Sequence, residues 1–359
     1  MEKQGYEGKR KHYEYTNLNS ENQENQENSA SSSSISRPRK KLSKKAKGII
    51  IAALIILGGG IFIGSCSTLT PSDPGYMSEF DFGDEYIGNL HLEGTITEGN
   101  SGDGYNHQWI LDRIEQMKAD TNNYGMIITV DTPGGSVYAT DEVYHALLKY
   151  KEETSRPVYV YMGNIAASGG YYISMAADKI YANPNCWTGS IGVIVGTIYD
   201  FSGLMDELGI KAVDITSGAN KAMGSPVKPL TEEQKEIYQS LVDDAFSRFV
   251  GVVSKGRNMS EEQVRKIADG RVYTATQARD LGLIDSVSSF ETASRVMQEE
   301  CDLKQCNIYD IAYTEETSLF ESIFGIKAND LVKNEYTELF ELIDKNSKFT
   351  VSYLSQIQK

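Results

Sequence analysis

The chain has 359 residues, enough for one large or two ordinary domains, and its 40% hydrophobic content can fill a core. Charge is unevenly spread: the first 47 residues carry 11 Lys+Arg against 6 Asp+Glu, the whole chain stands at −15, and the remaining body therefore stands at −20. So acidic a body argues against nucleic acid as a partner, because phosphate binding needs a basic footprint.

Residues 1–36 show no apolar period. They contain the short repeat from Glu21 to Asn28 and a serine run from Ser31 to Ser34, a composition that cannot bury enough surface to fold. Seven cations follow within 11 residues, Arg37 to Lys47, which completes a basic cytoplasmic tail over 1–47. Directly after them, Gly48 to Ser65 gives 18 residues without a charge. As a helix this stretch spans about 27 Å, near the hydrocarbon thickness of a bilayer. Cations before it and none soon after it orient the N-terminus to the cytoplasm. We expect one transmembrane helix over 48–66, with the body extracytoplasmic. The rival readings are a cleaved signal peptide, whose charged region would be unusually long, and a lipoprotein site at Ile63-Gly64-Ser65-Cys66.

Residues 67–85 read as a Ser/Thr/Pro linker, and a folded domain is expected over 86–314. Ile87 to Gly94 alternates like a strand, Trp109 to Met117 places its apolar residues on one helical face, and Gly125 to Val130 is a continuous apolar run. That run ends in Asp131-Thr132-Pro133-Gly134-Gly135-Ser136, and a helix follows over Val137 to Lys151. The strand at Val158 leads into Ala167-Ser168-Gly169-Gly170-Tyr171-Tyr172 and a helical Ile173 to Ala177. Lys179 to Ala182 and Thr188 to Val195 are read as strands, Phe201 to Leu208 as a helix, and Lys211 to Ile215 as a strand. A long helix starts at Thr231, and Ser260-Glu261-Glu262-Gln263 has the capping-box pattern. Gln277 to Leu281 and Phe290 to Glu299 are expected helical, and Asn307 to Tyr313 a final strand. Residues 315–359 read as a polar, helical, weakly packed tail without an assigned role. Strands alternating with helices imply a mostly parallel sheet with helical cover.

Cys66, Cys186, Cys301 and Cys306 make no metal-ligand pattern, and neither metal nor cofactor is expected; Cys301 and Cys306 are close enough either to pair on an oxidising side of a membrane or to stay free.

The chemistry centres on Ser168. A serine at a glycine-permitted strand-to-helix turn can stand as a nucleophile while backbone N–H groups face an incoming carbonyl; an ordinary turn with a serine N-cap is the alternative. His12, His91, His107 and His145 all lie outside glycine-rich turn contexts, so a histidine base has no natural candidate in the pattern. A free lysine is almost fully protonated at neutral pH, and a lysine base must be desolvated. Lys221 sits among the small residues of Gly218-Ala219-Asn220-Lys221-Ala222-Met223-Gly224, a setting that suits such a role or an ordinary surface loop. Pro133-Gly134-Gly135 provides unobstructed backbone N–H groups after a buried strand.

Taken together, Asp131 to Val137, Ala167 to Tyr172, Thr188-Gly189-Ser190-Ile191-Gly192-Val193 and Ser217 to Lys221 resemble the signal peptide peptidase A family of membrane-anchored serine peptidases, in its short Gram-positive form. The similarity runs from about Tyr86 to Asp285. It implies the crotonase-like α/β spiral shared with Clp protease. It also implies Ser168 as nucleophile, Lys221 as general base, Ser190 orienting the lysine, and Gly135 and Gly169 as oxyanion-hole donors. Gly134 is the alternative to Gly135, and Thr132 stands where many relatives have serine. The resemblance further implies a homo-oligomer, an octamer in the family's short members, with the dyad within one chain, and substrates that are remnant signal peptides. Three rivals remain: a crotonase-fold acyl-CoA enzyme, a membrane peptidase acting on partner membrane proteins, and a scaffold without activity.

Overall fold

The computed structural model describes residues 83–314 and 352–354. The expected basic tail 1–47, the expected membrane span 48–66, the linker up to residue 82 and most of the tail 315–359 lie outside the described residues. Among the described residues, no helix is long and apolar enough to cross a membrane.

The sheet is built outward from two long strands. β1 (Tyr86–Glu93) runs parallel to β2 (Asn123–Thr132), and β2 runs parallel to β4 (Val158–Ala167). Between β2 and β4 lie the short β3 (Gly134–Ser136) and a helix, α2 (Val137–Thr154); α1 (His107–Ala119) connects β1 to β2. Each helix starts on a side-chain cap: Asn106 accepts from the Trp109 N–H and Ser136 from the Ala139 N–H. β4 leads into α3 (Gly169–Ser174), then β5 (Lys179–Ala182) and β6 (Trp187–Gly189). A short α4 (Ser202–Glu207) precedes the 26-residue α5 (Glu232–Arg257) and α6 (Glu261–Ile267). β7 (Val272–Thr274), α7 (Ala275–Asp280), β8 (Ser286–Val287), α8 (Phe290–Glu300) and β9 (Asn307–Ile311) complete the main body. β10 (Ser352–Leu354) is the last described element.

The expected mostly parallel α/β sheet is present. Eight strands hydrogen-bond in the order β7-β6-β4-β2-β1-β9, with β5 on β4 and β8 on β5; β7 is the antiparallel member. β4 is where the sheet forks. Tyr159 to Met162 pair with β5, and Ile165 to Ala167 pair with β6. The change of partner coincides with a register shift against β2: Val130 faces Met162, but Thr132 faces Ala166. Gly163 and Asn164 take up the extra length, as a bulge does.

Because a parallel sheet is covered on both faces, its strands are apolar throughout, and alternate residues serve opposite faces. Val158, Val160 and Met162 of β4 enter the larger core with Met126, Ile128 and Val130 of β2. Tyr159, Tyr161 and Ile127 point the other way and meet Ala293 and Met297 of α8. Phe249, Val250 and Val253 of α5 are buried in the larger core. Capping boxes open α5 (Thr231 with Gln234), α6 (Ser260 with Gln263, as expected from sequence) and α7 (Thr274 with Gln277).

Three expectations are corrected. Lys211 to Ile215 is not a strand: it pairs with no other strand among the described residues, and Val213 and Ile215 are 81% and 97% exposed. Thr188 to Val195 is strand only through Gly189, because Ser190 turns the chain at φ 49°. At residues 352–354 the tail is not helical but a strand, antiparallel to β3, with Tyr353 buried. Cys186, Cys301 and Cys306 are free thiols, and Cys66 lies outside the described residues.

Two substitutions test this core from opposite sides. Phe249→Ala removes a fully buried ring and should cost about 3–5 kcal/mol in urea unfolding. Thr140 on α2 is fully buried, and its hydroxyl finds no hydrogen-bond partner among the described residues. Thr140→Val should therefore stabilise by about 1 kcal/mol and raise the Tm by roughly 2–4 °C; a lower Tm would mean that the hydroxyl is paired.

Candidate active site

β4 delivers Ser168 to the larger core's upper edge, at the point where the strand stops and α3 begins. The residue sits at φ 54°, ψ −111°, a conformation that L-residues rarely hold without support. Support comes from both sides of the turn. The Ser168 N–H donates to the Gly189 carbonyl at 2.8 Å, and its carbonyl accepts from the Tyr172 N–H at 2.9 Å. Ser168 itself is buried in this structure.

The residues around it have no room for side chains. A Cβ on Gly169 would lie 2.7 Å from Thr140 Oγ1 and 3.3 Å from the Gly135 nitrogen. One on Gly170 would lie 2.6 Å from Thr132 Cγ2. One on Gly134, which is at φ 99°, would lie 1.9 Å from the Tyr353 carbonyl oxygen and 2.6 Å from the Gly169 nitrogen. One on Gly135 would fall 1.9 Å from the Ile96 carbonyl oxygen. Gly134 and Gly169 are thus required for the two turns to touch, Gly135 for the close approach of Ile96, and Gly170 for that of Thr132. Of the two candidate donors in β3, the Gly134 N–H already donates to Thr132 Oγ1 at 3.1 Å.

β10 lies across this arrangement. Tyr353 is opposite Gly135 in an antiparallel pair, and on its other side Ser352 exchanges two backbone hydrogen bonds with Ile194, at 2.9 and 3.1 Å. The Tyr353 ring stacks on Tyr172 with centroids 5.1 Å apart, touches Phe249 at 4.8 Å, and donates its hydroxyl to the Ala245 carbonyl at 3.1 Å. Tyr172 in turn donates to Asp141 at 2.6 Å. Burial first, and then this carboxylate, hold the Tyr172 phenol well above its ordinary pKa. Sequence reasoning missed Tyr353. The signal was there: Thr350 to Leu354 is a short β-branched and aromatic run inside a polar tail.

The structure brings Ser168, Gly169, Gly134 and Gly135 together. Ser190 follows directly on Gly189, the residue that accepts the Ser168 N–H. Its own N–H donates to the Arg271 carbonyl at 2.8 Å and its hydroxyl to the Gly270 carbonyl at 3.2 Å. Lys221 lies elsewhere in character: it is exposed, in a run of turns, with its backbone N–H on the Gly218 carbonyl. Among the described residues, no hydrogen bond joins its side chain to Ser168 or Ser190.

Cys186 and the three described histidines are engaged or inert. Burial pushes the Cys186 thiol up to about 12, far from the thiolate a nucleophile needs. His107 is held between the Tyr105 hydroxyl and Glu142, each at 2.8 Å; His91 lies between Glu93 and Asp310; His145 faces Asp141. Among the described residues, no group of three or more His, Cys, Asp or Glu could hold a metal ion.

Comparison with known proteins adds the family. The model of peptidase family S49 matches residues 150–304. A putative signal peptide peptidase SppA of Enterococcus faecium is 39% identical over 222 residues, 62% of this chain and 63% of its own length. A putative protease of Methanocaldococcus jannaschii is 31% identical, with 67% of this chain matched to 78% of that protein. Protease 4 of Haemophilus influenzae is 35% identical over 60% of this chain, which spans only 35% of that relative. The match thus covers less than two thirds of the Enterococcus and Haemophilus proteins. Among solved structures, a point mutant of ClpP1 from Listeria monocytogenes is similar at 18% identity and a TM-score of 0.37, over 57% of this chain and 93% of that one. With a glycine-walled serine turn and these relatives, the chain belongs to peptidase family S49, the serine peptidases of the signal peptide peptidase A type.

Proposed function

We propose that the chain is a membrane-anchored endopeptidase that cleaves remnant signal peptides and other unfolded segments beside the membrane, using Ser168 as nucleophile and Lys221 as base. One observation carries this reading. A strand of the protein's own chain already lies between the glycine strand and Ile194, with Tyr353 directly opposite Gly135. A substrate in extended form would lie the same way, held by main-chain hydrogen bonds along a strand edge. Unfolded peptides present such backbone and folded proteins do not.

The chemistry is acyl transfer. Neutral Lys221 takes the Ser168 hydroxyl proton as the oxygen attacks the carbonyl. The tetrahedral oxyanion rests on the N–H groups of Gly135 and Gly169, the Gly134 N–H being occupied by Thr132. The protonated lysine gives its proton to the leaving amine, and water then releases the acyl group. Ser190, adjacent to this turn, orients the lysine in this scheme.

The exposure of Lys221 also supports a homo-oligomer. A lysine base needs a water-poor setting, and the solvated loop of a single chain does not supply one. The same excursion leaves Tyr199, Phe201, Leu204, Leu208, Ile210, Val213 and Ile215 exposed. Packing of copies would cover that apolar surface and desolvate the lysine at the same time. A dyad completed on assembly fits these facts better than one formed within an isolated chain. The Clp-type spiral, the octameric ring, the membrane span at 48–66 and the extracytoplasmic body form part of the same proposal.

Cleavage of a quenched fluorogenic peptide by the full chain in detergent tests the mechanism. Ser168→Ala and Lys221→Ala should each lower kcat by about 1,000-fold or more. Normal turnover in Lys221→Ala would remove the proposed base, and activity in Ser168→Ala the whole mechanism. A lysine base also gives a rate that rises with pH, so a profile flat from about pH 6 to about pH 10 would count against it. Tyr353→Ala should loosen the resident strand and lower the apparent KM for added peptide by about 3-fold or more; an unchanged KM would mean that β10 does not compete with substrate.

A further inference from the structure

Thr132 stands between the two halves of the candidate oxyanion site and touches both. It is fully buried at the end of β2, opposite Ala166 and just past the register shift in β4. Its hydroxyl makes two hydrogen bonds. It donates to the Gly94 carbonyl and accepts from the Gly134 N–H at 3.1 Å. The second bond closes a tight turn over Pro133, of the kind in which a threonine hydroxyl stands in for a backbone acceptor two residues upstream. That turn fixes the Pro133-Gly134 peptide, to which the Gly134 N–H belongs, and so the point from which the Gly134-Gly135 peptide starts. The methyl branch faces the other way: a Cβ on Gly170 would lie 2.6 Å from Thr132 Cγ2 and 3.3 Å from the Thr132 carbonyl oxygen. Gly170 belongs to the turn that carries Ser168 and Gly169.

We propose that Thr132 is a positioning residue that fixes the Gly135 N–H relative to the Gly169 N–H, so that both point at one oxyanion. The inference rests on the Ser168 mechanism above. A β-branched side chain suits this task because both arms are held, one by hydrogen bonds and one by packing, and rotation about its first bond is restricted. With the hydroxyl satisfied on both its donor and acceptor sides, the Gly134 N–H is withdrawn from the site, and Gly135, which faces Tyr353 of β10 in this structure, supplies the donor from β3 once a substrate takes the place of β10. Thr132 touches no substrate in this scheme. It acts through the Pro133-Gly134 peptide that its hydroxyl holds, one residue before the Gly135 N–H, and a small misalignment carried to that donor weakens a charge-stabilising hydrogen bond most when the charge develops.

Two variants of the full chain separate its arms. Thr132→Val keeps the shape and removes the hydroxyl; Thr132→Ser keeps the hydroxyl and removes the methyl. For Thr132→Val we expect kcat on a fluorogenic peptide to fall by about 10- to 100-fold with KM within about 2-fold. Inhibition by a peptide aldehyde, whose adduct places an oxygen in the same hole, should weaken in parallel. Thr132→Ser should recover most of kcat and of aldehyde affinity. Thr132→Val with wild-type kcat would overturn the proposal, as would a loss of kcat that leaves aldehyde affinity intact. Equal losses in both variants, together with a lowered Tm, would also overturn it by assigning Thr132 to packing alone. Ser168→Ala is run alongside: residual turnover there would defeat the underlying mechanism, whereas an inert Ser168→Ala with a fully active Thr132→Val would defeat only the role of Thr132.

Discussion

Backbone-to-backbone contact between two turns is the constraint on which this molecule depends. Gly134 and Gly135, after β2, meet Gly169, after β4; Gly135 also abuts Ile96 and Gly170 abuts Thr132, and a Cβ at any of the four would lie within 2.7 Å of an existing atom. Hydrogen-bond donors of one turn can reach the space in front of the other because these glycines place no side chain between them. Sheet, bulge and helices bring these two strand ends level. β2 and β4 pair in parallel up to Val130 and Met162, and the two additional residues of β4 then let Ser168 arrive beside the glycine strand.

The fork in β4 has a further effect on the site. Its first half belongs to β5 and its second half to β6, so the strand that carries Ser168 leaves one neighbour for another just before the turn. β6 supplies the Gly189 carbonyl that holds the Ser168 N–H. β6 in turn is held by β7, and Ser190 by Arg271 and Gly270. The strained conformation of Ser168 is therefore held by β6 and, through Ser190, by the segment after α6, while Thr140 of α2 packs against the neighbouring Gly169.

Much of this was legible from residues alone, for identifiable reasons. A buried parallel strand must be apolar throughout, and Val158 to Met162 reads that way. Glycine pairs where two backbones meet have no substitute, so Pro133-Gly134-Gly135 and Ser168-Gly169-Gly170 stand out. The capping boxes at Ser260 and Thr231 are local and need no tertiary knowledge. Lys211 to Ile215 misled because alternation records that one face wants cover without recording what covers it. Lys221 was legible as a residue type suited to the chemistry, but no local pattern says whether a loop reaches its own site or stays in solvent. Tyr353 was hidden by brevity: three strand residues in a polar segment carry too little periodicity to weigh, and their partners, Gly135 and Ile194, are more than 150 residues away. The role of Thr132 depends on two bonds that run to Gly94 and Gly134, neither of which a spacing rule would connect.

The strand formed by residues 352–354 carries one more consequence, for solubility. An edge able to accept any extended peptide is also an edge along which two molecules can stick, and proteins normally blunt such edges with charge, proline or a cover. Here Gly134 to Ser136 is short, nearly without side chains, and would make a poor barrier by itself. Placing Ser352 to Leu354 over it, with the Tyr353 ring locked under α5, gives the molecule a cap for its own adhesive edge. With Ile96 bridged on one side and residues 352–354 on the other, the glycine strand is left with no open hydrogen-bonding edge for a second molecule.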